Sequence, residues 1–178
     1  AQAERMLRAE TANTKPGSLV RMQIELHIAT AMWMQGERED AIELLQRLYE
    51  KHKNSAVYGN LGYFKLLQGE NLEEALEFNK EACAFNDNDL TILDNLAQNY
   101  YLLGRYEEAA EWYAKVMARQ PKYAESHYFY AKTLKELGRL EEAKEQARLA
   151  AEKPLAMITP LDRAAVEALQ VDIEKAAR

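Results

Sequence analysis

The residues able to carry out chemistry are few and scattered along the chain. The three histidines, His27, His52 and His127, each lie more than a helical turn from the others, whereas a metal-binding pair on one helix needs ligands three or four positions apart. Cys83 is the single cysteine, so neither a CxxC pair nor an intramolecular disulfide can form. It reads as a small buried hydrophobe in a reducing compartment. Neither a GxGxxG loop nor a phosphate-loop lysine is present. Adjacent carboxylates recur as Glu73-Glu74, Glu107-Glu108 and Glu141-Glu142. Each pair falls in the first turn of a helical pattern, where negative charge favours the helix dipole, so these are solvated helix starts and not acid–base pairs. No nucleophile, base and oxyanion donor can be assembled. The sequence therefore predicts a protein without catalytic residues, metal or cofactor.

The elements that would position any functional side chain are far more regular. Ala41, Ala75, Ala109 and Ala143 follow one another at intervals of 34 residues, closing the tetrapeptides REDA, LEEA, YEEA and LEEA. Each is preceded five or six residues upstream by a glycine: Gly36, Gly69, Gly104 and Gly138. Such a period marks an array of small units that bury their apolar faces against one another. The segment 90–123 shows the unit most clearly. Leu93, Leu96, Ala97 and Tyr100 share one helical stripe, Gly104 suits a left-handed turn, and Tyr106, Ala109, Ala110, Tyr113 and Val116 share a second stripe that Pro121 ends. The unit is an antiparallel helical hairpin. Its facing alanines are small because helices joined by so short a turn pack closely, with Trp112, Tyr113, Tyr130 and Phe78 expected to fill the gaps between hairpins.

The order of residues in these hairpins resembles the tetratricopeptide repeat (TPR). The match runs through Leu93, Leu96, Ala97, Tyr100, Gly104, Tyr106, Ala109, Tyr113, Val116 and Pro121, and again through His127, Tyr130, Ala131, Leu134, Gly138, Leu140, Ala143, Ala147 and Ala150. The second unit offers Tyr58, Leu61, Gly62, Gly69, Leu72, Ala75 and Ala82, but Lys65 and Asn79 depart from the apolar and aromatic residues usual there, and one extra residue separates Gly69 from Ala75. The first unit is the most divergent, with Arg38 where the others carry Leu or Tyr. The resemblance implies an all-α, right-handed superhelix of about four hairpins (18–54, 55–89, 90–123 and 124–153), with 1–17 as an N-terminal helical or linker segment. Residues 159–177 read as a capping helix, with Thr159 as N-cap, Pro160 at the first helical position and an apolar stripe of Leu161, Ala165, Leu169 and Ile173.

The resemblance also implies a non-catalytic scaffold that binds a protein or peptide segment in its concave groove, or alternatively a module that self-associates into a homo-oligomer. In that family the first helices line the groove. Carried over, the groove positions are Gln23, Leu26, Thr30 and Trp33, then Gly59, Asn60 and Tyr63, then Asp94, Asn95, Gln98 and Tyr101, then Tyr128, Phe129, Lys132 and Lys135. Aromatics mixed with amides suit a peptide, because rings give contact area at low entropic cost and amides satisfy backbone groups; Trp33, Tyr101 and Phe129 equally suit packing between hairpins. One TPR subfamily clamps C-terminal carboxylates with lysine, arginine and asparagine. Asn60 and Asn95 match an amide position, but Gly59 and Tyr63, or Asp94 and Gln98, stand where the other members are needed, which disfavours such a clamp.

Charge narrows the partner. The net charge of −6 and pI near 5.3 argue against a phosphate-backbone binder, so nucleic acid is not expected. Between Ser55 and Asp89 two basic residues face seven acidic ones, which places most of the net charge on one hairpin. A solvated face accounts for this, with a docking patch for a basic partner as the second reading. The most apolar run, Ile28 to Met34, is far shorter than the roughly 20 residues of a spanning helix. The chain begins without methionine in a helical-looking stretch, which reads as trimmed. The expected location is the cytoplasm or a cytoplasm-facing surface, with membrane contact only through an N-terminal anchor upstream.

Overall fold

In a computed structural model, which describes residues 2–177, every regular element among the described residues is an α-helix. The chain divides into two compact units between Phe85 and Asn86.

The first unit holds α1 (Gln2–Ala12), α2 (Leu19–Met34), α3 (Arg38–Lys51), α4 (Ser55–Gln68) and α5 (Leu72–Phe85), each packed against the next. Ser18 Oγ accepts the Arg21 amide at 3.2 Å and Asn54 Oδ1 accepts the Ala56 amide at 2.8 Å, so the starts of α2 and α4 have side-chain caps. The core between them is built from Ile28, Met32, Leu45, Leu48, Val57, Leu61 and Phe64.

The two departures of the second hairpin are each accommodated by a different neighbour. Lys65 lies nearly buried on α4, its amine 2.9 Å from Glu74 on α5 and its charge 5.9 Å from the Phe78 ring centre, so the alkyl stem does the packing of the missing apolar residue. Asn79 is fully buried against Gly62. A methyl group at Gly62 would sit 2.4 Å from Asn79 Oδ1 and 2.8 Å from its Cγ, so glycine is there to admit the amide. The extra residue after Gly69 also has a use. α4 closes with a single bond from the Gly69 amide to the Lys65 carbonyl at 3.1 Å, and Asn71 then caps α5 by accepting the Glu74 amide at 3.1 Å. Gly62→Ala is expected to destabilise the protein by about 1–3 kcal/mol through overpacking, and Asn79→Ala in the same chain to restore part of that loss. Additive losses in a denaturant double-mutant cycle would contradict the contact.

The second unit holds α6 (Leu90–Leu102), α7 (Tyr106–Met117), α8 (Ala124–Glu136), α9 (Leu140–Glu152) and α10 (Arg163–Ala176). Asp89 caps α6 through the Thr91 amide at 2.9 Å. At the other end the Arg105 amide reaches the Tyr100 carbonyl at 2.9 Å and the Gly104 amide reaches that of Tyr101 at 3.0 Å. This Schellman closure needs a left-handed residue, and Gly104 supplies it at φ 74°. The Arg105 guanidinium then lies 4.7 Å from the Tyr100 ring centre, covering the turn. Ala109, Ala131 and Ala143 are fully buried, and Tyr113 on α7 stacks on Tyr130 of α8 at 5.5 Å. Trp112 is partly exposed on α7, with the Lys115 amine 3.5 Å over its ring.

The last helix begins later than expected. Thr159 accepts the Leu161 amide at 3.0 Å in a local turn, and Asp162 is the N-cap, accepting the Ala165 amide at 2.7 Å. Thr159 and Pro160 therefore stand outside α10, because the aspartate two residues beyond the proline offers the stronger cap. α10 packs on α8 and α9.

Candidate functional site

Helices α6 and α8 pack side by side, which brings most of the expected groove residues of the second unit together. Tyr101 on α6 meets Phe129 on α8 at 5.7 Å between ring centres, and Phe129 meets Tyr128 edge-on at 5.2 Å. Lys132, one turn further along α8, holds its amine 5.1 Å from Tyr101, 5.4 Å from Tyr128 and 5.9 Å from Phe129. Three rings so placed present their negative faces to one cation. Tyr101, Tyr128 and Lys132 remain partly exposed while Phe129 is buried beneath them. Burial pushes the Tyr101 hydroxyl up to about 12, with the Glu136 and Tyr106 charges adding and Lys135 opposing, so it is a hydrogen-bond donor at neutral pH and not an anion. Lys135 itself turns away to an ion pair with Asp172 on α10.

The amide members behave differently. Asn95 and Gln98 are buried, at 4% and 5% exposure, so they lie beneath the surface of α6. Asp94 is partly buried and hydrogen-bonds Ser126 on α8, beside Glu125. Its carboxyl is raised to about 6, chiefly by burial and further by the Glu125 charge, against the lowering effect of Ser126. Around it the Asp94 Oδ1, Glu125 Oε2 and Tyr113 hydroxyl atoms are buried without hydrogen-bond partners among the described residues. Glu125 Oε1 accepts the Ala156 amide at 2.9 Å, which ties α8 to the segment before α10. Glu125, Ser126 and Tyr113 were not legible as neighbours of Asp94. Only the packing of α6, α7 and α8 brings them together.

In the first unit Trp33 on α2 lies 4.5 Å from Phe64 on α4, and Tyr63 is 6.3 Å from the same ring. Trp33 and Tyr63 are both partly exposed and pack against the core of that unit. Asn60 spends its amide on the Ala56 carbonyl of its own helix at 2.8 Å. Gly59 and Leu26 are buried, and Gln23 is exposed. His127 is buried on α8, its Nδ1 2.8 Å from Gln146 Oε1 on α9, and burial lowers its pKa, so it is a neutral packing residue. Cys83 is buried in α5. Among the described residues no group of three or more potential ligands is gathered for a metal ion, and no helix is long and apolar enough to cross a membrane. The aromatic shelf of α6 and α8 can offer contact area and one cation, which is the chemistry of recognition.

Comparison with known proteins bears on the same elements. The family described as Tetratricopeptide repeat matches residues 24–55 and, through a second profile, residues 91–123. The family described as PAB middle domain matches residues 109–172. No curated protein sequence matches the chain. Among solved structures, a tetratricopeptide repeat protein from Parabacteroides merdae is similar at 18% identity and TM-score 0.70, over 98% of this chain and 65% of its own. MamA is similar at 17% identity and TM-score 0.65, over 89% of this chain and 89% of its own. YrrB, described as a TPR protein with an unusual peptide-binding site, is similar at 20% identity and TM-score 0.63, over 83% and 73%. At these identities the likeness is one of fold.

Proposed function

Because this chain is a tetratricopeptide-repeat protein, and that fold is a general scaffold for protein interaction, we propose that it acts without catalysis by binding a peptide segment across α6 and α8. The observation that carries this reading is the cluster of Tyr101, Tyr128 and Lys132, partly exposed and held in register by the buried Phe129. Rings that are already ordered lose little entropy on binding, and a lysine drawn over them meets a carboxylate or backbone carbonyl without leaving the shelf. Trp33 and Tyr63 provide a comparable partly exposed pair on α2 and α4 of the first unit. The peptide-binding description of YrrB agrees with this use of the fold.

A peptide selected on the protein from a display library provides the test. Each aromatic anchor should be worth about 2 kcal/mol or more on truncation, so the Tyr101→Ala, Tyr128→Ala double variant should bind at least tenfold more weakly by calorimetric titration, with its circular dichroism unchanged. Wild-type affinity in that variant, together with a loss when Glu73, Glu74 and Glu77 are reversed in charge, would move the site to the acidic face of α5.

A further inference from the structure

A cavity of about 270 Å³ lies among α1, α2 and α3, on helices that the aromatic shelf does not use. Four cations line it: Arg8 from α1, Arg21 from α2, and Arg47 and Lys51 from α3. Among the described residues Glu25 is the one carboxylate in the lining, and Ile28 and Leu48 contribute apolar surface. For a chain of net charge −6 this is a local inversion of sign, and it is assembled from three separate helices, so no single basic sequence run produces it.

The side chains are also held in a way that suits an anion. Arg21 donates from Nε to Glu25 at 3.1 Å and from Nη1 to the Thr11 carbonyl at 3.5 Å, which fixes its guanidinium at the seam of α1 and α2. Arg8, beside it on α1, donates to the Met32 thioether at 3.7 Å. Arg47 has an exposed side chain and lies 4.0 Å from Glu43, the outer limit of an ion pair, so little holds it away from the cavity. Like charges converging on one space repel one another, and an anion placed among them turns that repulsion into attraction. Guanidinium forks match the paired oxygens of phosphate and carboxylate groups. The volume is just below the roughly 300 Å³ at which drug-sized ligand pockets begin, so the occupant is small.

We propose that this cavity binds a small oxyanion with at least two negative charges, phosphate or carboxylate in type, held by the arginines of α1, α2 and α3. The proposal is independent of the peptide shelf on α6 and α8. Calorimetric titration of the full chain with pyrophosphate and with citrate, at about 0.1 M ionic strength where distant charges are screened, tests it. Saturable binding of one anion per chain is expected. Tighter binding of pyrophosphate would assign the site to phosphate compounds, and tighter binding of citrate to carboxylates. Arg47→Glu with Lys51→Glu should weaken the preferred anion at least tenfold, with circular dichroism confirming the fold. Arg148→Glu, a reversal at an exposed side chain of α9, should leave binding unchanged. Failure of the wild type to bind either anion, or an equal loss from the Arg148 reversal, would overturn the proposal.

Discussion

Removal of residues 159–178 is expected to abolish cooperative folding of the second unit and to make the truncated chain aggregate. The expectation follows from what α10 covers. Val166 and Ile173 are 1% and 0% exposed, and Leu161 and Leu169 are each 8% exposed, with Ala124, Ala150 and Tyr128 of the neighbouring helices packed around the start of the helix. Burying each such aliphatic side chain is worth about 1.5–3 kcal/mol, so the set approaches the roughly 5–15 kcal/mol that holds a whole domain together. Polar contacts act in the same sense. Arg163 donates to the Ala151 carbonyl at 3.1 Å and to that of Lys153, satisfying the exposed carbonyl end of α9 with a cation, where the helix dipole favours one. Lys135 on α8 pairs with Asp172 on α10. Light scattering and a chemical denaturation curve of the truncated chain check the result. A monomer with an unchanged midpoint would mean that α10 is not a cover for the array and would favour a partner-binding role for it.

The helices were legible because the signals that make them are local. Glycines five or six residues ahead of a small residue and first-turn glutamates act within a turn or two of their own position, and the 34-residue period repeats them; Gly36, Gly69, Gly104 and Gly138 adopt the left-handed φ of 86°, 76°, 74° and 72° that helix closure requires. The start of α10 shows the limit of that reading. Thr159-Pro160 and Asp162 are competing caps a few residues apart, and the stronger cap, Asp162, sets the start of the helix. The second hairpin shows it again. Asn79 looks like a defect until Gly62 is seen across the interface, since the departure and the small residue that admits it lie seventeen positions apart. The candidate positions came from the resemblance to the tetratricopeptide repeat, and the structure leaves Tyr101, Tyr128 and Lys132 partly exposed. The burial of Asn95 and Gln98 was not legible, because one sequence position cannot report how far the neighbouring helix leans over it. The basic cavity was invisible for the same reason: Arg8, Arg21, Arg47 and Lys51 form no run in the sequence.

Asp94→Asn is expected to stabilise the protein at pH 7 and to do so much less at pH 4. In the folded chain the Asp94 carboxyl titrates at about 6, against an ordinary value of 3.8, because burial disfavours its charge and the Glu125 charge adds to that, while the hydrogen bond from Ser126 compensates only in part. Between these two values the folded state holds a proton that the unfolded chain has released. Stability attributable to this group is therefore present at low pH and falls as pH rises through about 6, and above that the whole penalty of the ionised form is felt. A shift of one unit corresponds to about 1.4 kcal/mol, and since Asp94 is only partly buried the effect should be about 1–2 kcal/mol after allowance for solvent screening. Asparagine keeps an acceptor for Ser126 and removes the charge. His127 contributes the opposite slope, because burial lowers its pKa and its protonation below the ordinary 6.5 favours unfolding. The wild-type profile alone thus mixes two trends, and the difference between wild type and variant isolates Asp94. Urea midpoints of both chains from pH 4 to pH 7.5 give that difference directly. A variant less stable than wild type at pH 7, or a difference that does not change with pH, would show that the ionised carboxylate is satisfied by Ser126 and carries no penalty beside Glu125 and Tyr113.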